Sequence, residues 1–346
     1  LKTIRYGMLE TSTPQMAQGY TDKDGTALPA QAIHMSVPHA AGALIGSVED
    51  LARWAEALHN GEVLKPESYA RMIAASKLSD GETVDYGMGI RQAKLRGHGL
   101  IGHGGGIFGF NTASSYLPAE DVFVAVFANP DNPRVDPDVV LARLAAMAID
   151  DPFPEFATAA IAPAQVEPLL GIYAFEGGER RFFLKEGKLF TRLSGGGDQE
   201  VFAAGGTRFH YGPGSTSWFE IEREAAGKHV MNMYFADSKE PLKSTWTRPV
   251  PAETAALEVD RALLEKYAGS YRASRGLAKV SVIEDKGLAI ALGGGRPIPL
   301  VAETETMFRA DGMDAKVTFH LDGGQVSHII VKQGAQEIRG DREPAG

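Results

Sequence analysis

The segment Gly102-His103-Gly104-Gly105-Gly106-Ile107-Phe108-Gly109-Phe110 holds the residue types in this sequence that are best placed to do chemistry. Glycine weakens a strand interior, so a cluster of it between two strand-like runs marks the close approach of a ligand or of another backbone. A histidine beside main-chain N–H groups left uncovered by side chains suits the binding of an oxyanion or a carboxylate. The alternative is a bulged, Gly-rich hairpin with a surface histidine, and residue types alone leave both open.

The elements around this segment are legible from periodicity and caps. Ser47 is a good N-cap, with Asp50 completing an S-x-x-D capping pattern. Val48, Leu51, Trp54, Ala55 and Leu58 then recur at helical spacing, and Gly61 sits where a C-cap belongs. A second helix is expected from Pro66 to about Ser76. Short runs bounded by Gly, Pro or Asp predict strands over 86–90, 99–102, 109–117 and 122–129. The last of these, Val122 to Phe127, is apolar throughout, as expected for a strand covered on both faces. A third helix is expected over 136–149, with Val139, Leu141, Leu144, Met147 and Ile149 as its apolar set. Residues 1–46 read mostly as loop.

Residues 1–150 thus read as one α+β domain, an antiparallel sheet flanked by helices. A Pro- and Ala-rich linker from Asp151 to Pro163 marks its boundary. Beyond it the chain is strand-like and repeats once. Leu170-Gly171-Ile172-Tyr173 is echoed by Ala268-Gly269-Ser270-Tyr271, and Lys185 to Phe190 by Glu284-Asp285-Lys286-Gly287-Leu288-Ala289. Two small antiparallel β-barrels of lipocalin-like type are expected, over 163–250 and 255–346, with a linker near Pro249 to Glu253 between them.

Composition narrows the function. The 346 residues are 44% apolar and 23% charged, an ordinary globular balance. The net charge of −9 and the lack of any dense Lys/Arg cluster argue against nucleic-acid binding. No apolar run approaches about 18 residues, so no membrane span is expected. Cysteine is absent, which excludes disulfides, thiolate metal sites and a Cys nucleophile. His34 with His39, and His98 with His103, have no carboxylate at ligand spacing and read as exposed loop residues, not as a metal site. Trp54, Trp218 and Trp246 read as packing residues, and Arg180-Arg181 and Lys239 to Lys243 as solvated charges. No cofactor is indicated. The opening Leu1-Lys2-Thr3 has no basic or apolar leader and reads as the start of a fragment or processed product. A periplasmic or secreted location is expected, with the cytoplasm as the alternative.

The order of motifs carries a further reading. Gly19-Tyr20, Ala41-Gly42-Ala43-Leu44, Ser47 and Asp50-Leu51-Ala52-Arg53-Trp54 are followed by Tyr86-Gly87-Met88-Gly89, Gly102-His103-Gly104-Gly105, Gly109-Phe110, Leu117-Pro118 and Ala128-Asn129. In this order the first 150 residues or so resemble the C-terminal part of the serine β-lactamase-like superfamily. That superfamily includes class C β-lactamases, D-alanyl-D-alanine carboxypeptidases, D-aminopeptidases and esterases (peptidase family S12). The resemblance implies that His103-Gly104-Gly105 is the third catalytic motif, K-T-G or H-x-G, on the strand edging the active site. It makes His103 and Gly106 catalytic residues: His103 orients or protonates groups, and Gly106 lends an oxyanion-hole N–H. Gly104, Gly105 and Ile107 then line the substrate. A histidine in place of lysine leans toward aminopeptidase or esterase action, and two C-terminal barrels match the D-aminopeptidase type.

The same family needs S-x-x-K for the nucleophile and its base, and a tyrosine in Y-x-N. Neither is present: Ser68 is followed at the third position by Arg71, and Ser76 by Ser79. By resemblance both motifs precede the matching region, and Met8 sits just beyond them. The expectation is therefore a serine hydrolase acting through an acyl-enzyme on amide, peptide or ester bonds, its nucleophile supplied by an N-terminal half absent from this chain. That half, separate or cleaved, is the expected partner, because a lone C-terminal half exposes sheet edge and apolar helix face. The substrate is a small molecule or peptide, and homo-oligomerisation is a further option. Two other readings stay open: a catalytically inactive ligand- or partner-binding module, and a proteolytic remnant. Two competing motif readings fail. Gly104 to Gly109 spells G-x-G-x-x-G but precedes a strand-like run, not a helix. His-Gly-Gly-Gly is similar to the lipase oxyanion motif but lacks a downstream G-x-S-x-G.

Overall fold

The fold follows from a computed structural model that describes residues 1–7, 16–23, 25–224, 228–252, 256–274, 276–283, 287–293 and 295–344. Met8, Glu253 and the Glu284-Asp285-Lys286 stretch of the repeat lie outside the described residues. The chain divides into two compact units. The first comprises Leu1–Phe156 with Pro213–Trp218 and Tyr234–Pro241, and the second Ala157–Gly212, Phe219–Met233 and Leu242–Gly346.

In the first unit, α1 spans Val48–His59, and Ser47 Oγ accepts the Asp50 N–H at 3.3 Å. Only half of the expected capping box forms. The Ser47 N–H goes to Thr3 Oγ1 at 2.9 Å, and the Asp50 carboxylate accepts from the backbone N–H of Lys2 and of Thr3 instead. Asp50 therefore anchors the N-terminal segment to the start of α1, and those hydrogen bonds hold its carboxyl far below the usual range. Ala55 and Leu58 are buried, whereas Trp54 is 40% exposed and is not the packing residue its spacing suggests.

Helix α2 spans Pro66–Ile73 and stops short of Ser76. Gly87 lies against its last turn, where a Cβ would come within 2.2 Å of the Met72 carbonyl. The expected strand over 86–90 is for the same reason a turn: Gly87 N–H donates to Ile90 O at 2.7 Å, and Gly89 has φ +77°. The strand begins only after it.

Four antiparallel strands form the sheet: β1 Arg91–Leu95, β2 His98–Ile107, β3 Phe110–Leu117 and β4 Val122–Ala128, in the order β4-β3-β2-β1. β4 is thus an outer strand. Val122 to Val126 are only half-buried and Phe127 is 44% exposed, so the apolar run belongs to an edge and is not covered on both faces as expected. Asp136 caps α3, Pro137–Ala148, by accepting the Asp138 N–H at 2.9 Å. α1 and α3 both pack on β4. Ala145 and Ala146 of α3 join Leu95, Leu117 and Phe153 in a small core, leaving Leu144 45% and Met147 62% exposed.

The second unit holds two closed eight-stranded antiparallel barrels, each with its strands in sequence order. The first has β5 Gly171–Phe175, β6 Gly178–Lys185, β7 Lys188–Leu193, β8 Asp198–Ala203, β9 Arg208–His210, β10 Trp218–Arg223, β11 His229–Tyr234 and β12 Leu242–Arg248. Its two outlying pieces, around Trp218 and Tyr234, belong to the first unit. α4, Arg261–Tyr267, precedes the second barrel: β13 Gly269–Ala273, β14 Gly276–Ile283, β15 Gly287–Leu292, β16 Ile298–Ala302, β17 Met307–Ala310, β18 Ala315–Asp322, β19 Gln325–Gln333 and β20 Gln336–Arg342.

The sequence repeat has a structural cause. Tyr173 Oη donates to Leu169 O at 2.6 Å, and Tyr271 Oη to Tyr267 O at 2.7 Å, each four residues back and each fully buried. A buried phenol needs a partner, and the carbonyl at the end of the preceding helical turn provides it. Gly171 is required because the Trp246 indole occupies the place of its Cβ. Arg180 and Arg181 are not the solvated pair expected: Arg180 is 6% exposed, and Arg181 pairs with Asp314 of the second barrel at 3.3 Å.

Candidate active site

β2 carries all five residues singled out in the sequence. His103 pairs with Ser114, Gly104 with Ala113, Gly105 with Thr112, Gly106 with Asn111 and Ile107 with Phe110 across β3. On the other side β1 reaches only as far as Arg91, opposite Gly102. From His103 onward, β2 therefore has a neighbour on one edge and none from the sheet on the other.

Alternation decides which groups face that open edge. Ile107 and Phe110 flank the two-residue turn Phe108-Gly109 and so form a hydrogen-bonded pair. Counting back, the main chains of Gly105 and His103 also turn toward β3. The side chains agree, since Thr112 Oγ1 donates to Gly105 O and Ser114 Oγ to His103 O, at 3.3 and 3.1 Å. The N–H groups of Gly104 and Gly106 consequently point to the open edge. A Cβ at Gly106 would meet nothing within 4 Å, whereas at Gly102 it would lie 2.1 Å from Ser114 O. Gly102 thus lets β3 approach closely, and Gly106 leaves its own surroundings clear.

The His103 ring leans to the same edge. Its Nδ1 lies 2.5 Å from Gly104 O and its Nε2 2.8 Å from Tyr86 Oη. A carbonyl can only accept, so Nδ1 carries a proton. Nε2 of the neutral ring then accepts from the Tyr86 hydroxyl and is the one nitrogen able to take up or release a proton. Both side chains are exposed, Tyr86 at 38%. Sequence reasoning assigned Tyr86 no role in the site. Its signal is the pair of glycines in Tyr86-Gly87-Met88-Gly89: Gly87 seats the turn on α2, and that turn sends Tyr86 across to His103.

At the hairpin's closed end, Gly109 has φ +79° and packs against Gly19, whose absent Cβ leaves room for the Phe110 ring. The two motifs Gly19-Tyr20 and Gly109-Phe110 are therefore halves of one contact. His98 is not a loop residue. It opens β2, with Nδ1 2.5 Å from Glu120 Oε1. Two cavities in this unit, of about 200 and 290 Å³, are lined by other residues, among them Arg96, Phe153 and Arg143, while His103 is exposed and the space beside Gly106 is clear. Among the described residues no group of three or more His, Asp or Glu could hold a metal ion. No helix there is long and apolar enough to cross a membrane.

The β-lactamase family model matches residues 3–147, the stretch that contains this edge. Over those residues the chain is similar to the β-lactamase family. Among solved structures, a D-stereospecific amidohydrolase from Streptomyces sp. is 24% identical with a TM-score of 0.32, over 38% of this chain and 40% of that one. SurE is 19% identical with a TM-score of 0.32, over 70% of this chain and 60% of that one. SurE with D-Leu gives 20%, 0.30, 70% and 59%. The chain thus spans between two fifths and three fifths of these proteins' lengths. No curated protein matches it. Within the matched segment, His103 and the two outward N–H groups share a stretch of β2 edge that no other strand of the sheet pairs with.

Proposed function

We propose that the β-lactamase-family segment is the third-motif half of a serine hydrolase acting through an acyl-enzyme on amide, peptide or ester bonds. The observation that carries this reading is the edge of β2, where the His103 ring and the Gly104 and Gly106 N–H groups face one unpaired side. A substrate carbonyl laid along it places its oxygen on the Gly106 N–H, which stabilises the negative charge as a nucleophile adds. The serine, its lysine base and the Y-x-N tyrosine come from a segment outside this sequence. That segment also covers β4 and the exposed Leu144 and Met147. The serine Oγ bonds to the carbonyl carbon as the lysine takes its proton. Collapse then breaks the bond to the amine or alcohol, which leaves with the proton the lysine took up, and water later attacks the acyl ester to release the acid and restore the serine. His103, whose Nε2 accepts from the Tyr86 hydroxyl, orients or protonates groups on the acyl or leaving side.

A second reading is favoured by one observation: both His103 ring nitrogens are already bonded within the chain, and no described serine hydroxyl touches them. This is the inactive binding module. Intact-mass measurement of denatured protein from its natural source, with and without a fluorophosphonate probe, separates the two. A polypeptide that contains S-x-x-K together with residues 1–346, or co-purifies with them, and gains the probe on that serine is expected. A labelled serine within residues 1–346 overturns the external origin of the nucleophile, and a lone unlabelled species of this mass overturns the hydrolase reading.

A further inference from the structure

The first barrel contains a cation without an anion. Arg180 on β6 lies on the same strand face as Phe182 and directly across from Tyr173. Both neighbours are fully buried in the barrel core, so Arg180 points inward as well, and only 6% of it reaches solvent. Among the described residues no carboxylate pairs with it. The other well-buried arginine of this barrel, Arg192, is bound to Asp198 at 2.5 Å, and Arg181 to Asp314. A buried guanidinium left without a counter-charge is strongly unfavourable, whereas an oxyanion satisfies it with paired hydrogen bonds.

Two hydroxyls complete the arrangement. Arg180 Nη1 donates to Tyr211 Oη at 3.3 Å, and Tyr211 Oη lies 3.0 Å from Thr191 Oγ1. Each hydroxyl has one proton to give, and Tyr211 Oη also lies 4.0 Å from Met233 Sδ, so Arg180, Tyr211 and Thr191 form one hydrogen-bonded chain. Strands that alternate in direction bring all three residues to one end of the barrel, beside the turns that follow β5, β7 and β9. Below them the interior is filled by Phe182, Phe209 and Phe219, all at 0% exposure. The filled interior leaves no room for a long ligand below these three residues.

We propose that this end of the first barrel binds the terminal carboxylate or phosphate of a small molecule, through the Arg180 guanidinium and the Thr191 hydroxyl with Tyr211 aligning both. The site is independent of the β2 edge and of any hydrolase activity there.

The test is thermal unfolding of the full chain in sodium phosphate, sodium acetate or sodium chloride at matched ionic strength. Wild type is expected to gain about 3 °C or more in Tm from phosphate, acetate or both, relative to chloride. A response to one anion alone identifies the head group. Arg180→Met is expected to fold and to unfold no earlier than wild type in chloride, because an apolar side chain of similar length removes the buried charge. It should lose the anion-specific gain. Tyr211→Phe keeps the charge and should need about ten times more anion for the same gain. Equal Tm in all three salts for wild type overturns the proposal. So does an anion-specific gain that survives in Arg180→Met, which would mark adventitious binding elsewhere.

Discussion

The first unit and the barrels bury their apolar residues in opposite ways. Among the described residues the second barrel gathers fifteen buried residues into one core and the first barrel twelve, while the sheet of the first unit gathers five. Closure explains the contrast: a barrel has no edge strand and its interior faces only itself, whereas an open sheet needs cover on its faces and edges. In the first unit that cover is partial. Phe127, Leu144 and Met147 stay substantially exposed, on the outer strand and on the helix that packs against it. The barrels enclose their apolar residues, whereas the first unit leaves several of its own on the surface.

The strongest way to break this comparison is to hollow out the cores. Phe219→Ala and Phe308→Ala remove rings that are 0% and 1% exposed. Each should lower stability by about 3–5 kcal/mol in urea unfolding, from lost burial and the cavity left behind. A cost under about 1 kcal/mol would show that the barrels are loosely packed.

Next in size is the chemistry of the edge. In a hydrolase that includes the S-x-x-K segment, His103→Ala should slow acylation about 100-fold. Tyr86→Phe should have the smaller effect, since it removes one hydrogen bond to the ring. The burst of acylation in stopped-flow measures both, and unchanged rates would detach this edge from catalysis. Both side chains are exposed, so neither change should shift the melting temperature of the chain.

A smaller effect tests how the first unit is held together. Asp151 accepts from Arg96 Nη2 at 2.9 Å, and Lys239 lies 2.6 Å from its other oxygen. The Arg96 hydrogen bond first, then Lys239, lowers its pKa to about 2. A depressed carboxylate stabilises the fold above its unfolded value of about 4 and loses that contribution as pH falls toward 2. Asp151→Asn should therefore flatten the fall in urea midpoint between about pH 4 and pH 2. An unchanged slope would assign that fall to other carboxylates.

The smallest expected effect sharpens the comparison most. Leu144→Ser and Met147→Ser should change the stability of the isolated chain by less than about 0.5 kcal/mol, as exposed positions do. If either costs as much as a core residue, that face is already covered in solution.

Much of this was legible in the sequence where local rules decide. Ser47, Gly61 and Pro66 mark helix ends, and the tyrosine-led repeat marks two barrels. What failed was decided by distant partners. Asp50 was claimed by Thr3 instead of Ser47, α2 was cut short by a glycine 15 residues on, and Val122 to Phe127 became an outer strand because of sheet order. β1, Arg91 to Leu95, was missed because its side chains are mostly polar on an exposed strand. At the site the sequence marked His103 and its glycines but not the Tyr86 contact, which depends on how a turn sits on α2. Arg180 looked like surface charge because a doubled arginine reads as solvated unless strand alternation separates its members.

The tyrosine bonds at the barrel entrances bear on how this protein could be cut and recombined. Each entrance tyrosine is tied to a carbonyl in the short helical turn just upstream, Leu169 O for one barrel and Tyr267 O for the other. A transplanted barrel begun at Gly171 or Gly269 would contain every strand yet leave its latch with the donor molecule. Begun at Pro163 or Asp260, it would travel with its own clasp. The natural joints of this chain thus fall one helical turn before the first strand of each barrel.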